Sequence, residues 1–400
     1  MYSNLQVAQA FIVVLICVIA AGLILLVALK LRDKRQRKLT GKVLVKHEDW
    51  LTYVLASLDG AGELHPPPAG LSAAERLVIQ NRLIGWIDQL KGRPQGKLIR
   101  LCEEMGLVNR QLKRLQSPFG WIKLDAVHYL GCMRSSQAVP AMLRYLGSMK
   151  RGPLMFIVAR AVAKCTRKPE ELVEMAKLLL EPGKDAYQLI ADIIAESELG
   201  YDELVEQFLH SRTTEQVKLG LVLLQKHTDP GMAELLYQLV DAEDKEIRVE
   251  AARLFLRASG TLSDRRIRHL MSHHDWEIRA AAAQALGTLG MKGSIELLAE
   301  SLADPSAQVQ YAGAKSLAML GQEGFIALCQ AASGPGTQRG AAVAHSVIRE
   351  ELSQYDPNEQ DIRRMSFRNM QRFVYERFFG TMSANTEQTS SSGGQESMAG

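Results

Sequence analysis

Three segments of this chain repeat one another at a spacing of 31 residues: KEIRVEAARLFLRASG (245–260), WEIRAAAAQALGTLG (276–290) and AQVQYAGAKSLAMLG (307–321). One column holds Ile247, Ile278 and Val309, a second Ala252, Ala283 and Ala314, a third Phe255, Leu286 and Leu317. Small residues in a fixed column let neighbouring helices approach, and large ones in another fill the gap between layers. After each segment come a turn and a second apolar stretch, such as IELLAESL (295–302) or FIALCQAA (325–332). A two-helix unit cannot bury its apolar face alone, so self-similarity at this period predicts a stack in which each unit covers the next. Aromatic residues are only 6% of the chain, while Leu, Ala and Met abound, which favours helices over strands.

The register extends in both directions. GWIKLDAVHYLG (120–131) aligns with the 276 copy almost five periods earlier, and divergent copies begin near Gly152, Ala186 and Gln216, with a last helix near Thr337. Upstream, Ser72-x-x-Glu75 reads as a capping box, followed by Ile79, Leu83, Trp86, Ile87 and Leu90 at helical spacing. Gly92 and Pro94 are expected to end that helix, and a helical pair interrupted near Gly106 covers 97–116. Residues 71–117 are read as a helical amino-terminal cap and 118–355 as the repeat array.

In these residues the chain resembles the HEAT-repeat family, particularly its bacterial branch of short-period repeats. The likeness is carried by Ile247-Arg248 and Ile278-Arg279 at the start of first helices and by Asp244, Asp275 and Asp304 in the turns before them. Ala138-Val139-Pro140, followed by Met142-Leu143 and Leu146, adds the opening of a second helix. The resemblance covers about residues 118–350 and implies an all-α fold, an α-solenoid of two-helix repeats. It also implies a polar ladder between repeats, assigned to Asp244, Arg248, Asp275 and Arg279. Gln310 and Lys218 depart from the pattern, so an incomplete ladder is expected. The resemblance speaks of architecture more than activity. Scaffolding of partner proteins on the concave face, built mainly from second helices, is the expectation. Two families with related repeats are active, lyases that attach or isomerise bilin chromophores and alkylpurine DNA glycosylases. The latter need a strongly basic groove that residues 118–350 lack. A small-molecule-binding or lyase-type solenoid stays as the alternative.

Ahead of the array, Phe11 to Leu29 reads FIVVLICVIAAGLILLVAL, with no charge. As a helix it spans roughly 28 Å, close to the ~30 Å hydrocarbon core of a bilayer. Basic residues follow at once: Lys30, Arg32, Lys34, Arg35, Arg37, Lys38 and Lys42. This asymmetry predicts a single transmembrane helix within 1–30, an outside amino terminus and a cytoplasmic solenoid at the cell membrane. A cleaved signal would carry its basic residues before the apolar run. The lipid bilayer is therefore an expected partner through residues 11–29. Residues 31–70 hold the basic flank, one juxtamembrane helix over 43–60 and a proline spacer at Pro66, Pro67 and Pro68.

At the other end, 356–380 is read as a basic aromatic amphipathic helix. Arg364, Arg368, Arg372, Phe373, Phe378 and Phe379 are the candidate partner contacts, because four phenylalanines within thirteen residues exceed what a capping helix needs. Residues 381–400, rich in Ser, Gly, Thr and Gln, are expected to be disordered.

Signs of chemistry are sparse. There is no glycine-rich phosphate loop and no nucleophile motif, and five cysteines without a CxxC spacing argue against a disulfide framework or a zinc site. His269 and His273 stand four residues apart beside His274 and Asp275, but a helix boundary near Ser272 and the use of Asp275 as a helix cap make them turn histidines. No catalytic residue, cofactor or metal is expected. The net charge of +4 is placed in the juxtamembrane segment rather than on a basic face, so nucleic acid is not an expected partner. The sequence thus predicts a membrane-anchored, non-enzymatic scaffold that binds membrane-associated proteins.

Overall fold

The computed structural model describes residues 2–68, 70–181, 186–200, 202–226, 229–258, 262–334, 338–353 and 361–380, with side chains described for Leu15 and from Ile19 onward. The expected disordered tail, 381–400, and the start of the last helix at Thr337 lie outside the described residues. Among those described there are twenty-one α-helices and no strand. They form two compact units, residues 1–179 with 192–199 and residues 180–191 with 200–400.

The first unit opens with α1 (Tyr2–Lys46), which runs unbroken through the apolar and basic stretches. Among the described residues no helix is long and apolar enough to cross a membrane. The expected span Phe11–Leu29 falls partly on residues whose side chains lie outside the description, so the transmembrane helix is not a feature the structure shows. The single helix expected over 43–60 is divided: α1 ends at Lys46, and α2 (Glu48–Ala56) follows a break at His47.

Contacts below that break explain why the next segment is not a free spacer. The Trp50 indole donates to His65 O at 3.0 Å, Lys97 Nζ donates to Ser57 O at 3.0 Å, and Arg100 pairs with Glu63 at 2.7 Å. Leu64 is buried. Ser72 caps α3 (Ala73–Gln89) in a full capping box with Glu75. Glu75 also accepts from Lys46 at 2.6 Å, and these bonds hold its carboxyl down at about 2.

Pro94 lies in the first turn of α4 (Arg93–Glu104), where its missing N–H has no partner to lose, so it opens a helix rather than ending one. Gly106, at φ 67°, supplies the left-handed turn into α5 (Leu107–Leu115). Two helical pairs follow: α6 (Gly120–Met133) with α7 (Val139–Ser148), then α8 (Leu154–Cys165) with α9 (Pro169–Leu179). A Cβ at Gly131 would lie 2.8 Å from that of Ala161, which is how closely α6 and α8 pack. Cys165 Sγ donates to Leu130 O at 3.3 Å, and burial pushes its thiol up to about 12.

After α10 (Tyr187–Ile194) the second unit continues with α11 (Asp202–Leu209), α12 (Thr214–Lys226), α13 (Ala233–Leu239) and α14 (Lys245–Ala258). Next come α15 (Asp264–Met271), α16 (Trp276–Thr288), α17 (Ile295–Glu300), α18 (Ala307–Met319), α19 (Gly321–Ser333), α20 (Gln338–Ser353) and α21 (Ile362–Phe379). The three repeat columns are all buried, with Ala252, Ala283, Ala314, Phe255, Leu286 and Leu317 fully so. The small column does what small residues do: Ser316 Oγ on α18 reaches Ala283 O on α16 at 2.8 Å, and a Cβ at Gly287 would meet Ser316 Cα at 2.7 Å.

First helices carry 13 or 14 residues in α14, α16 and α18, whereas the second helices α13, α15 and α17 have only 7, 8 and 6. The second helix α19, which holds 325–332, has 13. A hollow of about 880 Å³ lies along the first helices α12 and α14, lined by Thr214, Lys218, Val222, Val249 and Arg253 among others.

Candidate functional site

The polar side chains of the array meet in a chain of ion pairs. Asp244 Oδ1 accepts from Glu246 N at 2.9 Å and Ile247 N at 3.2 Å, capping α14, while its other oxygen lies 3.0 Å from Lys218 Nζ on α12. Arg248 Nε donates to Asp275 Oδ2 at 2.7 Å, and its Nη1 donates to Ala242 O and Glu243 O at 2.9 and 2.7 Å. Arg279 repeats the pattern: Nε and Nη2 grip both Asp304 oxygens at 2.7 and 2.8 Å, and Nη1 donates to His273 O and His274 O.

Each guanidinium therefore binds the turn of its own repeat through Nη1 and the next carboxylate through Nε, joined in Arg279 by Nη2, which a planar fork of donors allows. Lys218, which the sequence sets apart from the pattern, holds a rung as a point charge. Gln310 does not extend the series, and its Nε2 donates back to Asp304 O at 2.6 Å. The bond from Arg248 holds the Asp275 carboxyl below its usual range. Burial would raise that of Asp304, but Arg279 outweighs it and the carboxyl is lowered.

Asp275 is not the side-chain cap the sequence suggests: its carboxylate accepts from Arg248 and no cap bond forms. His273 is buried, and its Nδ1 accepts from Asp275 N at 3.0 Å. Ligand atoms of His273, His274 and Asp275 lie within 4.8 Å of one another, closer than the sequence alone implied. The rung is already made there, with Arg248 Nε 2.7 Å from the Asp275 oxygen. His269 turns aside to Tyr237 at 3.1 Å and Asp241 at 3.2 Å.

The candidate contact residues divide on α21. Asp361 caps the helix through Arg363 N at 2.9 Å, and Val374 and Gln371 are buried beneath it. Phe379 packs its ring 5.2 Å from His345 on α20 and 5.0 Å from Tyr375, and Phe378 is half-buried beside it. Phe373 is 65% exposed, and Arg364 and Arg372 are also exposed. Arg368 is half-buried, with an Nη1 that finds no acceptor among the described residues. At 100° per residue, Ile362 and Met365 fall within a narrow sector with Phe373, and both are exposed. The outward stripe is thus Ile362, Met365 and Phe373, and the aromatic pair at the carboxyl end serves packing.

On α1, Lys30, Arg32, Lys34, Arg35, Arg37 and Lys38 are all exposed, with one local ion pair between Arg37 and Asp33 at 2.9 Å. Before them, Leu15, Ile19, Leu23, Ile24, Leu25, Leu26, Val27 and Leu29 are 49–70% exposed.

Comparison with known proteins bears on the array. Residues 232–318 match the family model for HEAT repeats. No curated protein matches the chain. Among solved structures, that of the complex of CpcE and CpcF of phycocyanin lyase from Nostoc sp. PCC7120 is 18% identical, covering 66% of this chain and 93% of that one, with a TM-score of 0.22. The Pds5–Scc1 complex is 11% identical over 79% of this chain and 65% of that one, with a TM-score of 0.25. The family match is confined to residues 232–318, which lie within the all-helical repeats of the second unit.

Proposed function

We propose that the chain is a membrane-tethered HEAT-repeat scaffold that binds partner proteins and performs no catalysis. Residues 11–29 form the anchor, the amino terminus is outside and the repeats are cytoplasmic. The observation that carries this is the exposure of Leu23, Ile24, Leu25, Leu26 and Val27. Five successive helical positions sweep more than a full turn, so apolar side chains face outward in every direction. Removing each large aliphatic side chain from water is worth about 1.5–3 kcal/mol, and a hydrocarbon surrounding is the one that satisfies all faces at once. The basic run after Leu29 sets the orientation. Phe373, with Ile362 and Met365, is the surface offered to a protein partner.

The test is extraction of the full chain from membranes with alkaline carbonate, beside a Leu23→Arg, Leu26→Arg variant, followed by cross-linked affinity recovery. The full chain should stay with the membranes, and the variant should be released. Recovery of the unaltered chain in the soluble fraction refutes the tether. Partner recovery that is unchanged by Phe373→Asp refutes the role of α21.

A further inference from the structure

A second surface lies in the first unit, on α6, α7 and α8. Phe119 and Trp121, at the start of α6, are 59% and 70% exposed. Leu154 and Ile157, at the start of the neighbouring first helix α8, are 48% and 50% exposed. Scattered single apolar residues on a surface need no explanation, but two aromatics and two aliphatics at adjacent helix starts do. Beside them are two hollows, of about 470 and 420 Å³, that share Lys123, Tyr145 and Ser148 and so form one trough.

The charge of this trough is one-sided. Lys123, Arg144, Lys150 and Arg151 line it, and no aspartate or glutamate does among the described residues. Arg151 is engaged with Leu178 O. Lys123 stands over the Tyr145 ring, 5.2 Å from its centroid, and neither it nor exposed Arg144 and Lys150 has an ion-pair partner among the described residues. By contrast, Arg134 pairs with Glu198, Arg160 with Glu196, Arg248 with Asp275 and Arg279 with Asp304. A run of unpaired cations beside exposed aromatics is the composition of a binding surface, where Trp and Arg dominate the energy.

We propose that this trough binds an acidic peptide segment of a partner protein, one that places carboxylates against Lys123, Arg144 and Lys150 and an apolar side chain against the exposed Leu154, which lines it. A bilayer surface is flat and takes protruding side chains, whereas these cations line a depression. Tyr145 forms part of its wall, with Lys123 held across the ring. The proposal depends neither on the tether nor on α21.

The full chain in detergent micelles is titrated with a panel of fluorescein-labelled peptides in which glutamates alternate with phenylalanine or leucine at varied spacing. Charge-reversed lysine counterparts form the control set. Acidic members should bind and their lysine counterparts should not. Leu154→Ser and Arg144→Glu should each weaken binding about tenfold with the thermal midpoint unchanged, since both side chains are exposed. Equal binding of acidic and basic peptides, no binding by any member, or binding indifferent to both substitutions would overturn the proposal. Trp121 emission is isolated by comparison with Trp121→Phe. Its quenching by brominated phosphatidylglycerol in reconstituted vesicles, with no peptide bound in micelles, would give the face to the bilayer and also overturn it.

Discussion

Replacing Arg279 by alanine tests whether the ladder holds the repeats together. The Arg279 and Asp304 side chains are only 14% and 11% exposed, and the pair is bidentate. Truncation leaves the Asp304 carboxylate with the Ser306 N–H, 2.8 Å from Oδ1, and strips the turn carbonyls of His273 and His274 of the arginine donor. Removing one partner of a fully buried pair costs about 3–5 kcal/mol, and an exposed pair is worth about 0–1. For this nearly buried geometry the expected loss is about 2–4 kcal/mol, felt in α16, α18 and the turns between them. Hydrogen exchange by mass spectrometry reads it directly: amides in those helices should exchange roughly thirtyfold to several-hundred-fold faster, at about 1.4 kcal/mol per factor of ten. Arg279→Met combined with Asp304→Leu removes both charges together and should recover most of the protection. Exchange in α16 and α18 that changes less than about threefold in the single variant would refute the reasoning.

Two further outcomes follow from the same region. Gly287→Ala places a methyl 2.7 Å from Ser316 Cα, a backbone atom that cannot give way, and should lower stability by about 1–3 kcal/mol in urea unfolding. On acidification, Asp275 and Asp304 both have folded-state values depressed below the ordinary aspartate value of 3.8. Their contribution is therefore present above that value and is lost as pH falls through the lower folded values. Helical ellipticity followed from pH 7 downward should hold to about pH 4 and fall below it, with Arg279→Ala removing part of the dependence.

Much of this architecture was legible because a repeat states its constraints more than once. The columns at Ile247, Ala252 and Phe255 recur 31 residues on, and the structure buries every member. What the sequence conceals is which partner a side chain takes. Lys218 looked like a departure from the arginine column, yet a lysine reaches the Asp244 carboxylate as well as a fork would, lacking only the grip on the turn carbonyls. Asp275 has the position of a cap, but its carboxylate bonds the Arg248 guanidinium and makes no cap bond. Pro94 looks like a stop in the string, yet helix resumes around it, because a proline that ends one helix and one that opens the next are spelled alike. On α21, four phenylalanines within thirteen residues drew attention, while the angular sector that sets Ile362 and Met365 with Phe373 emerges only with a helix axis. The trough around Lys123 draws residues from four α-helices and the turns between them, and no local pattern announces it.

The continuity of α1 turns the amino-terminal segment into a ruler with a phase. From Leu29, the last residue of the apolar run, to Val43, where side chains first bury against the body, the helix advances roughly 21 Å without a hinge. Below Val43 it is clamped by Lys46 on Glu75 and, across the break at His47, by Trp50 on His65. Stand-off and azimuth are thereby set by residue count: each residue added or removed in this stretch shifts the body by about 1.5 Å and turns it by about 100° about the helix axis. A change of seven residues restores nearly the same azimuth at a new height, whereas a change of two faces the body almost the opposite way.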